Sequence, residues 1–351
     1  MSDTRVRIEG ATGHITLQRE KALNALNYPM LRSIGAALRA WHDDTRVRLV
    51  LIDAAGPRAF CAGGDVLEIC RRARAGDLDH ARRFWRDEYH VNALIGRYPK
   101  PYVALMHGIT MGGGVGLSGH GSHRVVTDST VLAMPEAAIG LLPDVGGTWL
   151  LARAPGAIGS YLAMTGERIG AADAMHAGFA DCYVPETELP ALREALLETA
   201  DPSVLERFSR PPPGGVLAAR QELIDSIFDR PHALDCARAL RDRIQDRACD
   251  PADRDWLQAA LDAIERNSPL SVAISHEAVR RARSFSSLEQ SLALEFRFTW
   301  RSVEDSDFLE GIRAMLLDKD RRPRWADADL SGPSPARLDQ LLGSLAEHEL
   351  W

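Results

Sequence analysis

Apolar residues form short runs of strand length along the first part of the chain. Residues 5–8 and 13–17 are two such runs, and residues 48–53 and 102–106 have the length and apolar character of fully buried strands. Residues 66–97 are instead charged and amphipathic, which predicts one or two helices over the core. This alternation of strand-like and helix-like segments predicts an α/β or mixed layered fold.

The segment after residue 27 carries the signals of a buried amphipathic helix. Asn27 can cap its N-terminus, and Pro29 fits the first turn because that turn needs no intrahelical donor. Apolar side chains then recur on one face of this helix, which we expect to be buried: Leu31, Ile34, Leu38 and Trp41. Ser268 followed by Pro269 gives the same N-terminal signals for a later helix.

The character of the sequence changes in its second half. Three prolines and two glycines at residues 211–215 break regular structure, and the following segments indicate helices rich in leucine, alanine, arginine and aspartate. We therefore predict a core formed by residues 1–200 and a mainly helical C-terminal region, residues 201–351, that packs on it.

Composition and charge exclude several classes of function. The chain of 351 residues is 45% hydrophobic, enough for a sizeable core. Its formal net charge of -7 gives no overall positive field, so we expect no nucleic-acid partner. No run of 18 apolar residues occurs and the first residues do not resemble a signal peptide, so we expect no membrane span and a cytoplasmic location.

The cysteines give no sign of a disulfide framework or a zinc site. They are five in number, scattered, and without a C-x-x-C pair: Cys61, Cys70, Cys182, Cys236 and Cys249. His276 and Glu277 lack the second histidine of a zinc-protease helix, because Arg280 occupies its position. We predict reduced, mostly buried thiols and no metal site.

Three glycine-rich segments carry the candidate chemistry: residues 60–65 (FCAGGD), 107–119 (HGITMGGGVGLSG) and 134–147 (MPEAAIGLLPDVGG). The middle segment contains a G-x-G-x-x-G pattern that begins at Gly114, and Glu136 follows at the distance of a ribose-binding acid, so dinucleotide binding is one interpretation. That pattern is weak alone, and no tight strand-to-helix turn precedes it.

Two other motifs are incomplete. A serine-hydrolase elbow around Ser118 would need glycine at the position of His120. A phosphate-binding P-loop would need lysine and serine or threonine directly after its glycine, and none follows here.

The remaining interpretation rests on the backbone at two helix starts. Gly63 and Gly64 precede a helix that begins near Asp65, and Gly112 and Gly113 precede another. Glycine lets peptide N–H groups approach a ligand closely, and the helix dipole favours negative charge there. Two converging N-termini would form an oxyanion hole. The alternative is that these glycines only allow tight packing.

Taken together, these segments resemble the crotonase, or enoyl-CoA hydratase and isomerase, superfamily. The matching motifs are KALNALN (21–27), FCAGGDV (60–66), GITMGGGVGLS (108–118) and MPEAAIGLLPDVGGTWLLAR (134–153). Further segments are similar to the 3-hydroxyisobutyryl-CoA hydrolase branch: FWRDEYHVN (84–92), LEFRFTWR (294–301) and FLEGIRAMLLDKDRRPRW (308–325). The resemblance covers nearly the whole chain and implies a ClpP-like α/β fold of repeated ββα units with a helical C-terminal region.

The resemblance also implies which residues bind the substrate. The thioester carbonyl would lie between the N–H groups of Gly64 and Gly113. The acyl-CoA would contact the chain around a further set of residues: Lys21, Ala22, Ala62, Asp65 and Glu88. The side chains that would bind the CoA phosphates are not identified by the motifs.

Acidic residues separate the reactions within the superfamily. Hydratases use two glutamates, and the position of the first is Gly116 here, which disfavours a two-glutamate addition of water. Glu136 is retained and is joined by Asp144, the pattern of the hydrolase branch. Glu136 would act as a base or as a nucleophile, and Asp144 would orient the 3-hydroxyl group or protonate the departing thiolate.

The expected activity is therefore hydrolysis of a short 3-hydroxyacyl-CoA, with 3-hydroxyisobutyryl-CoA of valine catabolism as the expected substrate. No cofactor is expected, because coenzyme A is part of the substrate. A homo-oligomer, trimer or hexamer, is a further expectation from the family. A hydratase or isomerase of the same fold and a noncatalytic acyl-CoA or dinucleotide-binding protein remain as alternatives.

Overall fold

The computed structural model describes residues 3–351. Its strands are β1 Thr4–Glu9, β2 Thr12–Leu17, β3 Leu49–Ala54, β4 Ala59–Cys61, β5 Tyr102–Met106, β6 Ile109–Met111, β7 His123–Val126, β8 Val131–Ala133 and β9 Cys182–Tyr183. The first eight helices are α1 Tyr28–His42, α2 Val66–Arg74, α3 Leu78–Gly96, α4 Gly113–Ser118, α5 Gly147–Arg153, α6 Ile158–Thr165, α7 Ala171–His176 and α8 Leu189–Thr199. The others are α9 Leu205–Phe208, α10 Gln221–Phe228, α11 Ala233–Gln245, α12 Pro251–Arg266, α13 Pro269–Ala282, α14 Leu288–Asp305, α15 Phe308–Ile312 and α16 Pro335–Leu342.

The strands of the described residues form two sheets. The larger has the order β1-β2-β3-β5-β7-β9, antiparallel between β1 and β2 and parallel elsewhere, and the smaller is the parallel sheet β4-β6-β8. Each of the strand pairs β3–β4, β5–β6 and β7–β8 places its first strand in the larger sheet and its second in the smaller one. A helical segment follows each pair along the chain. This is the repeated ββα pattern that the family resemblance implies.

One face of the larger sheet packs against α8. Alternate residues of β3, β5 and β7 point to the same side of the sheet, and α8 offers apolar residues at helical spacing. The resulting cluster is almost fully buried and includes Leu49, Leu51, Val103, Leu105, Val125, Leu189, Leu192 and Leu196. β3 and β5 are buried on both faces, which explains their continuous apolar sequence.

Helix α1 begins as predicted. The Oδ1 atom of Asn27 accepts a hydrogen bond from the N–H of Met30 at 2.9 Å, and proline occupies the first turn. The predicted apolar face is buried at Leu31, Ile34, Leu38 and Trp41.

Contacts group the chain into two compact units. The sheet unit comprises Met1–Asp65, Asp87–Ala133 and Arg168–Ala218, and the helical unit comprises Val66–Arg86, Met134–Glu167 and Ala219–Trp351. The division into residues 1–200 and 201–351 stays a prediction.

Helix α13 forms the centre of the helical unit. It contacts α5, α6 and α11, and it is buried on all sides from Pro269 to Val279. The Oγ atom of Ser268 accepts from the N–H of Ser271 at 3.0 Å, so the predicted serine cap is confirmed. No helix among residues 3–351 is long and apolar enough to cross a membrane.

All five cysteines are free thiols, as the sequence predicts. Four of them are buried and Cys182 is half-buried. Burial raises the pKa of Cys61, Cys182 and Cys236 well above the ordinary thiol value, so these groups stay protonated and unreactive near neutral pH.

Candidate active site

The glycine pair of the FCAGGD motif lies beside the KALNALN segment. Leu26 donates its N–H to the carbonyl of Gly63 at 2.8 Å and accepts from the N–H of Asp65 at 2.9 Å. Leu26 and Gly64 therefore form a parallel bridge. In such a bridge the residue between the two bonded neighbours directs its own N–H to the opposite edge, so the N–H of Gly64 points away from Leu26.

The start of α4 lies close to Gly64. A Cβ atom on Gly113 would lie 3.1 Å from the backbone nitrogen of Gly64, so only glycine allows this approach without adjustment. Gly113 is the first residue of α4, and its N–H has no intrahelical acceptor. Gly112 precedes it with a φ angle of 47°, a conformation that favours glycine. The two glycines nominated from the sequence are thus brought together.

The first two glycines of the G-x-G-x-x-G pattern, Gly114 and Gly116, lie inside α4, and the third, Gly119, is its C-cap residue. A phosphate-binding pattern would place them in the turn before a helix. A Cβ on Gly114 would overlap the carbonyl oxygen of Cys61, so Gly114 serves close packing of helix against strand. The geometry therefore favours the packing interpretation for this glycine and gives no support to the dinucleotide one.

Glu88 of α3 lies beside the same pair of glycines. Its Oε1 atom is 2.8 Å from the point that a Cβ on Gly113 would occupy, and the residue is only 2% exposed. Burial raises the pKa of the nearby Cys61 thiol to about 12, and the negative charge of Glu88 adds to this shift. The sequence allowed Glu88 to be a solvated residue of a charged helix, but the structure buries it beside Gly113.

The candidate backbone contacts for CoA lie on neighbouring segments. Lys21 and Ala22 belong to the short 3-10 helix Glu20–Ala22, none of whose residues is buried. The N–H of Ala62 donates to the carbonyl of Leu23 at 3.0 Å, which joins the two segments.

Asn24 fixes the KALNALN segment, and the sequence reasoning missed it. Its side-chain amide donates to the carbonyls of Ala55 and Ala59 at 3.1 and 2.8 Å, and its Oδ1 accepts from the N–H of Arg19 at 2.8 Å. The residue is buried and has a φ angle of 55°. The tolerance of asparagine for left-handed backbone was the available signal.

Asp65 has a structural partner. The Arg19 guanidinium lies 2.8 Å from its carboxylate and also donates to the carbonyl of Ala25 at 3.0 Å. This pair holds the loop before α2 against the KALNALN segment, and a contact between Asp65 and substrate stays a prediction.

Glu136 opens the 3-10 helix Glu136–Ile139 of the helical unit, and it is 5% exposed. Its carbonyl accepts from the N–H of Leu141 at 3.0 Å, and Gly140 ends the turn with a φ angle of 77°. The segment from 136 to 140, which we call the Glu136 turn, is therefore fixed by its own backbone.

C-terminal helices of the same unit hold the Glu136 turn by backbone contacts. The N–H of Ser268 donates to the carbonyl of Ala137 at 3.1 Å. A Cβ on Gly311 would overlap the carbonyl of Ile139, and a Cβ on Gly140 would overlap the backbone of Asp307. Two glycines thus allow α15 to touch the turn directly. This role of Gly311 within the FLEGI segment was not anticipated.

Asp144 lies in a second turn, which we call the Asp144 turn and define as residues 144–148. Val145 and Gly146 both have left-handed backbone, with φ angles of 54° and 79°. The N–H of Gly147 donates back to the carbonyl of Asp144 at 2.7 Å, and α5 begins there. Asp144 is 5% exposed.

Glu295 of α14 contacts the Asp144 turn and was also missed. Its carboxyl accepts from the N–H groups of Gly146 and Thr148, at 2.7 and 2.9 Å, and from the Thr148 hydroxyl. Burial raises its pKa to about 8; the hydrogen bonds from Thr148 and Gly146 oppose this shift, and the negative charge of Asp144 adds to it. Glu295 lies in the LEFRFTWR motif, but nothing local marked its function.

The two groups of residues suit complementary chemistry. In the sheet unit, the backbone nitrogen of Gly64 lies close to Gly113, the first residue of α4. In the helical unit, Glu136 and Asp144 are largely buried carboxylates that can accept protons. No group of three or more histidine, cysteine, aspartate or glutamate residues within 3–351 is arranged to hold a metal ion.

Comparison with protein families gives a match over most of the chain. Residues 12–342 match the sequence model of the family described as Enoyl-CoA hydratase/isomerase. The match includes every motif that the sequence analysis compared with this superfamily.

Curated relatives match over nearly the full length. The 3-hydroxyisobutyryl-CoA hydrolase, mitochondrial, of Xenopus tropicalis is 39% identical over 352 residues, which cover 97% of this chain and 89% of that protein. The human protein of the same name is 38% identical over 348 residues, with the same coverage of each.

Solved structures are similar over the whole chain. One, named an enoyl-CoA hydratase from Rhodobacter sphaeroides 2.4.1, is 45% identical with a TM-score of 0.92 and 100% coverage of both chains. Another, named a carnitinyl-CoA dehydratase from Mycobacterium thermoresistibile, is 42% identical with a TM-score of 0.93, covering 100% of this chain and 99% of that one. The predicted fold is confirmed by this likeness.

Proposed function

We propose a reaction for this enzyme, which belongs to the enoyl-CoA hydratase/isomerase family: it hydrolyses the thioester of a short 3-hydroxyacyl-CoA. The proposed substrate is 3-hydroxyisobutyryl-CoA. The products are 3-hydroxyisobutyrate and free CoA. The identity of more than a third to hydrolases of that name, over nearly the whole chain, carries the choice of substrate.

The close approach of Gly64 to Gly113 carries the proposed chemistry. Hydrolysis places negative charge on the carbonyl oxygen when a nucleophile adds to the thioester carbon. Two backbone N–H groups that donate to this oxygen would stabilise that charge, and removal of one such donor typically lowers kcat by about a hundredfold to a thousandfold. Support comes from the bridge that turns the Gly64 N–H away from Leu26 and from the position of Gly113 at the first turn of α4.

Glu136 is the proposed reacting carboxylate, by either of two routes. As a base, it takes a proton from water while the water oxygen bonds to the carbonyl carbon; the C–S bond then breaks and the thiolate takes up a proton. As a nucleophile, its oxygen bonds to that carbon and expels the thiolate, and water cleaves the resulting mixed anhydride. Hydroxylamine added during turnover would trap Glu136 as a hydroxamate only on the second route.

Asp144 and Glu88 complete the proposed site. Asp144 orients the 3-hydroxyl group or returns a proton to the departing thiolate, and Glu88 contacts the substrate. Low exposure supports both roles, because a carboxylate that only improves solubility would lie in water. Backbone around Lys21, Ala22 and Ala62 is the proposed contact for CoA.

A hydratase activity is the second candidate. It is favoured by the names of the two solved structures that are more than 40% identical to this chain. Against it stands Gly116, which occupies the position of the first glutamate of the two-glutamate hydratases that the sequence resembles. The bond that is broken distinguishes the candidates, since hydrolysis releases a thiol and hydration does not.

The deciding experiment follows thiol release and enoyl absorbance in parallel. We expect 3-hydroxyisobutyryl-CoA to release CoA, detected with a thiol reagent, and a panel of short acyl-CoAs to rank the acyl preference. Loss or gain of enoyl absorbance without thiol release would establish the hydratase instead. An enzyme that neither releases thiol nor changes the absorbance would contradict both candidates.

Assembly and location complete the proposal. The proposed reaction uses water and acyl-CoA only and needs no added cofactor, which dialysis against a chelator before the assay tests. The proposed assembly is a trimer or hexamer, which light scattering tests. The proposed location is cytoplasmic, which cell fractionation tests.

A further inference from the structure

All the hydrogen bonds that the Glu295 carboxyl group accepts in the structure come from one short turn. Its Oε2 accepts from the N–H of Gly146 at 2.7 Å, and its Oε1 accepts from both the N–H and the hydroxyl of Thr148. The residue is fully buried on α14. All three donors therefore lie within four residues of Asp144, on its C-terminal side.

Glu295 replaces a missing helix cap. Gly146 is the N-cap residue of α5 and has no side chain that could accept from the first turn. The N–H groups at the start of a helix need acceptors from outside it, and the oxygens of a carboxyl group can accept in either protonation state. Glu295 supplies these acceptors from a helix that lies about 150 residues further along the chain.

The turn needs this support because of its backbone. Val145 has a φ angle of 54°, which is rare for a β-branched residue, and Gly146 follows with 79°. Such a conformation persists only where its surroundings impose it. With the hydrogen bonds of Glu295 removed, the chain after Asp144 could relax to an ordinary conformation and carry the Asp144 side chain with it.

We propose that Glu295 is a positioning residue, which holds the Asp144 turn in its left-handed conformation and thereby fixes the direction of the Asp144 carboxylate toward substrate. This inference rests on the proposed function, because it assigns Asp144 a part in hydrolysis. Glu295 itself touches neither substrate nor water in this role.

A double-mutant cycle on thiol release tests the proposal. Glu295→Gln keeps the size of the side chain but replaces one acceptor oxygen with a donor that faces an N–H group. We expect kcat to fall at least tenfold in this variant, and Asp144→Asn to lower it by at least as much. In the double variant the two losses should not multiply, because the Asp144→Asn change has already removed the carboxylate that Glu295 positions.

Two variants separate positioning from general stability. Thr148→Val removes the hydroxyl donor and keeps the N–H, and we expect a smaller fall in kcat than for Glu295→Gln. Ser302→Ala is the matched control: Ser302 is buried on the same helix, and its hydroxyl donates to the carbonyl of Thr299. We expect its kcat to stay within twofold of the unmodified chain.

Amide hydrogen exchange tests the same contacts without any reaction. We expect exchange at Gly146 and Thr148 to be at least tenfold faster in Glu295→Gln, while the central strands β3 and β5 keep their protection. Unchanged exchange at these two amides would overturn the proposal. So would a double variant in which the losses of kcat from Glu295→Gln and Asp144→Asn multiply fully. Full activity of the Asp144→Asn variant would overturn it as well. Absence of thiol release from the unmodified chain would instead reject the proposed function, and the exchange measurement would still decide whether Glu295 fixes the turn.

Discussion

A single carboxylate is expected to carry the proton or the acyl group during hydrolysis. Glu136→Gln preserves the shape of the side chain but removes both its basicity and its nucleophilicity, so we expect kcat for thiol release to fall by about a hundredfold to ten-thousandfold. The exposed Glu206 provides the control variant Glu206→Gln. Full turnover in Glu136→Gln, with an unchanged circular dichroism spectrum, would remove Glu136 from the mechanism.

The absence of a side chain at Gly113 is itself a testable feature. Gly113→Ala would place a Cβ 3.1 Å from the Gly64 nitrogen and 2.8 Å from the Glu88 carboxylate, and the flexible glutamate can move away whereas the amide cannot. The two N–H groups would then be forced apart, and we expect kcat to fall by about a hundredfold to a thousandfold. Gly170→Ala is the control, since its Cβ would meet no atom within 4 Å. Equal activity of the two variants would contradict the oxyanion hole.

Glu295 gives the free energy of unfolding a specific dependence on pH. Burial raises its pKa from 4.5 to about 8, with a further contribution from Asp144. The folded chain therefore keeps a proton that the unfolded chain releases. This contribution to stability is complete below about pH 4.5 and is lost as the pH rises through about 8, at up to about 1.4 kcal/mol per pH unit.

Urea unfolding between about pH 5 and 8 measures this slope. We expect Glu295→Gln to lose less stability over the range than the unmodified chain, because glutamine does not titrate. Glu206→Gln again serves as the control and should retain the original slope. Equal slopes in all three proteins would show that Glu295 keeps an ordinary pKa.

Local signals nominated the glycines at positions 63–64 and 112–113, because glycine at a helix start can be recognised without knowing the fold. The part of Glu136 in the reaction came instead from the resemblance to the superfamily. Glu295 gave no such signal, since its partners lie about 150 residues earlier and a glutamate among helical residues is normally solvated. Roles that depend on distant partners require the structure.

At the scale of elements, the contact of α15 with the Glu136 turn links the C-terminal region to the proposed chemistry. A Cβ on Gly311 would overlap the carbonyl of Ile139, so Gly311→Ala must displace either the turn or the helix. We expect a loss of about 1–3 kcal/mol in the free energy of unfolding together with a lower kcat. Gly214→Ala, whose Cβ meets nothing within 4 Å, is the control. A normal kcat in Gly311→Ala would show that thiol release does not depend on the position of the Glu136 turn.

The longer elements could be predicted and the shortest could not. Helix α1 has a cap, a proline and a periodic apolar face, and β3 and β5 are continuous apolar runs. The smaller sheet consists of three-residue strands, too short for any period to be visible. Helix α4 contains three glycines and would be rejected on helix propensity, so tertiary packing overrides that preference.

At the scale of the whole molecule, the sequence pattern correctly indicated an α/β fold with free thiols. It could not indicate that α2 groups with helices from beyond residue 219 in one compact unit, because that grouping is made by contacts between distant parts of the chain. A single boundary near residue 200 describes how the composition changes, whereas each compact unit is assembled from three separate stretches.

The overlap of Gly311 with the Glu136 turn has a consequence for biosynthesis. The ribosome produces the turn long before it produces α15, so a nascent chain carries Glu136 on a backbone that still lacks its permanent neighbour. Contacts between segments so remote in order also slow folding, and unfinished chains expose apolar surface meanwhile. The Glu136 turn can therefore take its final position only after α15 has been synthesised, and termination of translation before α15 should yield an inactive product.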